Sequence, residues 1–387
     1  MAKKKDVLPK GFEEVGDKII HSESKEEYVK EGDDLVSVSS GEIFKETKEE
    51  VKEEVKEEVK ETKETPKLKK KFPKLSDYKK KVKHKTVEYK EQEWIEMSAA
   101  FKEITKLPGI PTGHVIMNYG KSDTGKSTMA LEAAAYAQKQ GIVPVFIITE
   151  NKFSFERGEK MGVNFEDAIV HNGVATIEEG CKYVREILDA QESGDLAYDV
   201  LFLWDSIGGT PSEKELGKME DGSGGGGMMV TARVLREEIT RYLGPRINAT
   251  RNASFPYTAT LMVINHAYTA PPTFPGGQSS LVPYGGDGVY YVSTLVFRTG
   301  GILGRSSKIK ATYKKVEYGY GLLTDLVVMK NHITNATPTK GKIVCTDDGF
   351  ILNEKEDKDD YKAKHAHEWG IVGLENVEDI EDQIEEL

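Results

Sequence analysis

The chain has 387 residues, of which 38% are hydrophobic and 31% charged, with a formal net charge of -11. That length has room for two or three domains of ~150 residues each, yet the low hydrophobic share indicates that part of the chain is not packed. The acidic balance excludes a uniformly basic nucleic-acid coat but not a local basic channel, because charge acts within roughly 8–10 Å at physiological salt.

The N-terminus, Met-Ala-Lys-Lys-Lys-Asp, has no apolar stretch behind it and does not read as a signal peptide. No run approaches the length of a transmembrane helix. Cys181 and Cys345 stand far apart in no CxxC pair, which fits a reduced compartment without disulfides or zinc. A soluble cytoplasmic protein is expected. Residues 1–90 read as a disordered, charged extension. Within it Val51, Val55 and Val59 make one thin apolar stripe at period four, and Glu53–Lys56 and Glu57–Lys60 are i,i+3 pairs worth a few tenths of a kcal/mol. The segment predicts a marginal solvated helix or disorder. Lys67–Lys85 then turns strongly basic, with Phe72, Leu75 and Tyr78 interleaved. It reads as a solvated linker, as a tether for DNA phosphates, or as a segment that docks on an acidic neighbour.

From about Glu91 the pattern becomes globular. Trp94, Ile95, Met97, Phe101 and Ile104 predict a helix over Glu93–Thr105. Strands and helices then alternate: Val115–Tyr119 strand, Thr128–Gln140 helix, Val143–Thr149 strand, Ile177–Ala190 helix, Asp199–Trp204 strand, Val230–Tyr242 helix, Ala259–Asn265 strand. Further β-rich segments follow at Ser293–Arg298, Lys308–Val316 and Asp325–Asn331. Buried-type strands alternating with helices predict an α/β core over residues 91–352, with a mainly parallel sheet covered by helices on both faces. Residues 353–387 read as a short acidic tail. Two segments, Lys218–Met229 with its glycine run and His266–Gly288 with its Pro, Gly and aromatic residues, predict long functional loops.

Gly120-Lys121-Ser122-Asp123-Thr124-Gly125-Lys126-Ser127 matches G-x-x-x-x-G-K-[ST] at every fixed position. The glycines let backbone wrap closely around phosphates, and the helix N-terminus that follows, with Thr128 in its first turn, offers N–H groups and a favourable dipole. Lys126 supplies a cation for the β- and γ-phosphates, and the Ser127 hydroxyl a ligand for Mg²⁺. The motif therefore predicts binding of a nucleoside triphosphate, Mg-ATP first among them. Asp205 ends an apolar strand and reads as the second metal-site group. Glu150 follows Val143–Thr149 at the same sheet edge, where a carboxylate can activate water or simply cap a helix. Asn265-His266 ends a further strand, where His266 can sense the γ-phosphate or be structural.

In this order, across Trp94–Ile351, the residues resemble the RecA-type recombinases, and among them the bacteriophage-encoded branch most closely. The resemblance makes Glu150 the catalytic carboxylate and His266 the switch residue, where bacterial members carry Gln and phage members commonly His. It places Arg233 on a DNA-contacting arginine after the first DNA-binding loop, and Tyr284-Gly285-Gly286 at the end of the second. Lys330 falls on a lysine that reaches the ATP of the neighbouring subunit, and His332 stands where a second lysine is usual. Tyr268 replaces an arginine. Arg157 occupies the place of an aromatic that covers the adenine, where a planar guanidinium can stack instead. The family implies ATP and Mg²⁺ as cofactors, single- and double-stranded DNA and mediator proteins as partners, and a helical homo-oligomer. It implies a DNA-dependent ATPase that promotes strand exchange. A hexameric helicase motor and a DNA-binding scaffold with little hydrolysis are the alternatives.

Overall fold

The computed structural model describes residues 12–15, 18–21, 27–31, 34–39, 91–222, 227–252, 256–272, 274, 277, 279–300, 307–313, 316–334 and 339–369. The chain divides into two units, Met1–Lys85 and Thr86–Leu387. In the first, β1 (Phe12–Val15), β2 (Lys18–His21), β3 (Glu27–Glu31) and β4 (Asp34–Ser37) pair antiparallel in sequence order. This stretch departs from the disorder expected of residues 1–90. The Val51–Val59 stripe, the Lys67–Lys85 tract and residues 370–387 of the acidic tail lie outside the described residues.

The second unit opens with β5 (Trp94–Glu96), antiparallel to β6 (Gly109–Pro111), flanking a helix at Ala99–Thr105. The single helix expected over Glu93–Thr105 is thus a strand and a shorter helix. Ser98 divides them: its side chain accepts from the Phe101 N–H and caps the helix.

The central sheet contains β7 (Val115–Gly120), β8 (Val143–Ile148), β9 (Ile169–Asn172), β10 (Val200–Asp205), β11 (Ala259–Ala270), β12 (Ser280–Pro283), β13 (Leu295–Thr299), β14 (Lys308–Tyr313), β15 (Val316–Asn331), β16 (Lys340–Thr346) and β17 (Gly349–Leu352). Its order is β17-β16-β15-β13-β7-β11-β10-β8-β9, with β12 on β11 and β14 on β15. From β13 to β9 every pairing is parallel, and from β13 to β17 antiparallel. The expected α/β core with a mainly parallel sheet and helices on both faces is what the chain forms.

Alternation along the strands explains the two layers. Ile116, Phe146, Ile148, Leu201, Leu203, Met262, Ile264 and Phe297 pack on one face with Met129, Ala130, Leu131, Ala133 and Ala134 of helix Lys126–Lys139. Met117, Val145, Ile147, Phe202, Trp204, Leu261 and Val263 pack on the other with Ile177, Cys181, Val184 and Leu188 of helix Ile177–Ser193 and with Leu235, Ile239, Leu243 and Ile247. These last four belong to one helical run, α over Gly227–Leu235, π over Arg236–Leu243 and α again over Gly244–Asn252.

Both expected loops are shorter than their sequence suggested. Lys218–Glu220 completes helix Glu213–Glu220, and helix resumes at Gly227. His266–Ala270 continues β11, and Ser280–Pro283 pairs back on it with Ala267 opposite Pro283. The second segment is therefore a hairpin arm, followed by helix Asp287–Val292. Nor does packing stop at residue 352. Lys355–His365 is helical, with Tyr361 buried and its ring stacked on Tyr320 at 5.5 Å. No helix among the described residues is long and apolar enough to cross a membrane.

One buried carboxylate ties the phosphate-loop helix to its surroundings. Glu132, 4% exposed, accepts from the Ser98 N–H at 3.2 Å and the Phe350 N–H at 2.9 Å. Glu132→Ala would leave the buried Phe350 N–H and the half-buried Ser98 N–H without this acceptor, and is expected to cost roughly 1–3 kcal/mol. The denaturant midpoint at unchanged slope reads this loss.

Candidate functional site

The parallel register brings five strands level at one edge of the sheet. Gly120 pairs with His266 on one side and Thr299 on the other, and Asp205 pairs with Ile148, two residues before Glu150. In such sheets the crevice outside the carboxyl ends of the strands is the ligand site. A cleft there is lined by Ser122–Thr128 together with Glu150, Arg157, Asp205 and His266.

The loop Gly120–Ser127 is braced from below. Thr124 Oγ1 donates to the Lys121 carbonyl at 2.9 Å and lies 3.2 Å from Thr299 Oγ1, while Thr324 Oγ1 donates to the Thr124 carbonyl at 3.1 Å. Gly125 has φ +91°, and a Cβ on it would come within 2.4 Å of Cys345 Sγ. No other residue takes that backbone at that distance. Lys126 is buried, and its Nζ donates to the Lys121 carbonyl at 2.7 Å. Burial lowers its pKa, with Asp205 and Glu150 acting in the opposite direction.

Ser127 Oγ donates to Asp205 Oδ2 at 2.7 Å. Burial raises the Asp205 pKa, the Ser127 hydrogen bond opposes this, and the charge of Glu150 adds to it. A carboxylate desolvated beside a hydroxyl is a donor pair that a hard divalent cation would satisfy. With Lys126 and the loop backbone, this set could hold a metal-bound polyphosphate.

Glu150, Ser206 and His266 form a second cluster. Glu150 Oε1 accepts from Ser206 Oγ at 2.6 Å and lies 2.6 Å from His266 Nε2, which is 3.0 Å from Ser206 Oγ. The Glu150 pKa falls to about 2, chiefly through the His266 hydrogen bond, against desolvation and with help from Ser206. Thr149 Oγ1 accepts from the Ser206 N–H at 2.9 Å and fixes that turn. Ser206 and Thr149 carry no role in the sequence motifs themselves. A polar residue directly after the strand-end Asp205 was the available signal.

The other site residues fall in two further places. Arg157, on helix Phe155–Lys160, closes the far end of the cleft, where Nη2 donates to Thr128 Oγ1 at 2.8 Å and to the Thr346 carbonyl at 2.9 Å. Arg233 lies on the exposed side of helix Gly227–Leu235 with Nε donating to Glu237 at 3.0 Å. Ala232 and Leu235 of that helix, with Tyr268, Tyr284, Gly285 and Gly286, line a separate groove of about 510 Å³. Gly285 and Gly286 have φ +80° and +71°. A Cβ on Gly285 would meet Leu235 Cδ1 at 2.4 Å, so the two walls touch there.

The groove and the cleft share a partition. Ile207, Gly208 and Gly209 line the groove, and a Cβ on Gly209 would lie 3.5 Å from His266 Nε2 and 3.6 Å from Glu150 Oε1. Lys330 is not brought to the phosphate loop of its own chain. It pairs with Val296, which pairs with Met117, three residues before Gly120. Its Nζ donates to the carbonyls of Tyr290 and Tyr291 at 2.9 and 3.0 Å, and burial lowers its pKa.

A family profile described as the RecA N-terminal domain matches residues 64–317. The proteins named RecA from Streptococcus pneumoniae strains Hungary19A-6 and CGSP14 are each 27% identical to this chain over 236 residues, 61% of this chain and 54% of theirs. The chain thus spans about half the length of the curated relatives it matches. A profile covering well over half the chain, on a sheet whose strand ends gather a phosphate-loop motif and two carboxylates, places this protein in the RecA family.

Proposed function

We propose that this chain is an ATP-dependent recombinase that polymerises on single-stranded DNA and promotes pairing and strand exchange with a duplex. Residues Gly120–Thr128 bind Mg-ATP, Ser127 and Asp205 hold the Mg²⁺, and Lys126 pairs with the phosphates. Arg157 covers the base. Glu150 activates the attacking water. Arg233, Gly285 and Gly286 stand on the DNA path, and Lys330 completes the nucleotide site of the next subunit. The protein works in the cytoplasm with mediator proteins as further partners, and His266 at the switch position favours the phage-encoded branch. Residues 91–352 form the ATPase core of this division of labour.

One observation carries the reading. Segment Ser206–Gly209 bears the hydroxyl held by Glu150 and His266 on one side and lines the Tyr284–Gly286 groove on the other. A γ-phosphate that displaces His266 from Glu150 moves a wall of the groove, and a strand seated in the groove pushes back on the cluster. Such coupling is reciprocal in free energy. The test is nucleotide turnover with and without single-stranded DNA. Stimulation by DNA supports the reading, and equal rates contradict it.

His266→Ala separates coupling from chemistry. The hydrogen bond that holds the Glu150 pKa down is lost, so that pKa moves up towards the ordinary carboxylate range. Stimulation by DNA is expected to fall by roughly 5–150-fold, the span of allosteric coupling of 1–3 kcal/mol, while turnover without DNA persists. Steady-state rates with and without a homopolymeric DNA check both.

A further inference from the structure

The turn Thr346–Gly349, between β16 and β17, touches the cleft on one side and the C-terminal helix on the other. Toward the cleft, the Thr346 carbonyl accepts from Arg157 Nη2 at 2.9 Å, and Asp347 Oδ1 lies 3.6 Å from the buried Arg157 Nε. Away from it, Asp348 Oδ2 accepts from Lys364 Nζ at 2.5 Å and lies 2.9 Å from His365 Nε2. His365 Nδ1 lies 3.1 Å from Glu368 Oε1. Burial pushes the Asp348 pKa up, but the Lys364 and His365 contacts outweigh it and hold the carboxyl below its ordinary range. Tyr361 meets the same turn, by hydrogen bonds at Thr346 and the Asp347 backbone. The residues flanking the turn are fixed from elsewhere: Cys345 lies under Gly125, and Glu132 accepts the Phe350 N–H.

Helix Lys355–His365 has eleven residues, most of them charged. A helix of that length is marginal in water and depends on docking. Tyr361 is the one large hydrophobic that it buries. Ring stacking adds to this: Tyr361 on Tyr320 at 5.5 Å and on His365 at 4.3 Å, and Trp369 on Tyr318 at 5.9 Å. An element held by so few apolar contacts opens at low cost in free energy. The RecA profile ends at residue 317, well before it.

We propose that Asp348 and His365 are positioning residues for nucleotide binding: they latch helix Lys355–His365 to the Thr346–Gly349 turn, and the latched turn holds Arg157 in place at the cleft. The inference rests on the phosphate-loop reading and adds a control on that site from outside it. Release of the latch frees the turn and Arg157 while Cys345 and Glu132 keep the phosphate loop as it is. It therefore acts on affinity and not on the chemical step. The coupling is reciprocal, so a bound nucleotide tightens the docking of the helix.

The test uses the full chain, Mg²⁺ and the β,γ-imido analogue of ATP. By calorimetry, His365→Ala and Asp348→Ala are each expected to weaken the analogue by roughly 5–150-fold, the span of coupling between sites. In turnover, KM rises and kcat stays. Adding His365→Ala to Arg157→Ala is expected to cost little more, because the two act in series. Amide hydrogen exchange in Lys355–His365 is expected to slow by a like factor when the analogue binds, and not to do so in Arg157→Ala. A helix that only stabilises the fold gives another result: His365→Ala lowers the denaturant midpoint and leaves the dissociation constant unchanged, which overturns the proposal. Exchange in the helix that ignores the analogue overturns it too, and that comparison needs no variant to fold well. An analogue that does not bind the unsubstituted chain sinks the phosphate-loop reading and this proposal with it, a result distinct from tight binding that ignores the helix.

Discussion

Glu150→Gln is expected to lower nucleotide turnover by roughly 10²–10⁴-fold, the usual contribution of a positioned general base, while binding of a non-hydrolysable ATP analogue changes little. The substitution keeps the size of the side chain and an acceptor for Ser206, and removes the negative charge. The resting geometry sharpens the prediction. With its pKa held down to about 2 by the His266 and Ser206 hydrogen bonds, Glu150 is ionised at neutral pH in this geometry. A depressed carboxylate pKa stabilises the fold above the ordinary carboxylate range and loses that contribution only as pH falls towards 2. While His266 holds it, protonation of Glu150 therefore contributes no acid limb between pH 5 and 8. A carboxylate so held is also a weak base. On the proposed function it becomes effective once His266 and Ser206 let go, the step that reading assigns to the phosphate and the DNA. Rapid-quench turnover beside calorimetric affinity separates the two effects. A Glu150→Gln variant that hydrolyses at the parental rate would remove Glu150 from the chemistry.

The second large effect concerns Lys330. Its register position, opposite Val296 and well short of Gly120, leaves it unable to serve the phosphate loop of its own chain. Burial lowers its pKa, and two backbone carbonyls hold its Nζ in place. Lys330→Ala and Lys126→Ala are each expected to lower turnover by about 10²–10³-fold, as removal of one charge-stabilising donor does. Mixed in equal amounts, the two inactive variants are expected to recover activity. In a head-to-tail polymer about a quarter of the interfaces then join an intact Lys126 to an intact Lys330. If Lys330 acts within one chain, the mixture stays inactive. Turnover measured against mixing ratio distinguishes the two.

Much of the site was legible in the sequence because its signals are local. Gly120–Ser127 carries its own geometry, and Asp205 announces itself as a carboxylate at the end of Val-Leu-Phe-Leu-Trp. What the sequence hid depends on partners far along the chain. Trp94–Glu96 is a strand because Gly109–Pro111 lies beside it, and no window of Glu93–Thr105 contains that fact. The β11–β12 hairpin is set by Ser280–Pro283 returning to Ala267–Ala270, across a stretch whose prolines and glycines resemble an open loop. Bonds between Ser206, Glu150 and His266 span 56 to 116 residues.

The N-terminal strands were hidden for another reason. They are four or five residues long, and register sets apolar beside charged residues, Glu13 opposite Ile20 and Lys30 opposite Leu35. Neither a period of two nor a hydrophobic run stands out. The signal that existed was turn chemistry: Gly16-Asp17 and Gly32-Asp33 each stand between two short β-forming runs. The helix after residue 352 was masked by its own charge, because of the buried residues in Lys355–His365, namely Asp359, Tyr361 and His365, only Tyr361 is a large hydrophobic.

On the proposed function, nucleotide binding at Gly120–Ser127 is completed by a second copy of the chain and assembles it along DNA. Electron microscopy of the full chain with single-stranded DNA tests this most directly, with and without a non-hydrolysable ATP analogue. Open helical filaments that form with the analogue and are lost without it are the predicted result. Closed rings, or isolated particles in both conditions, would contradict it.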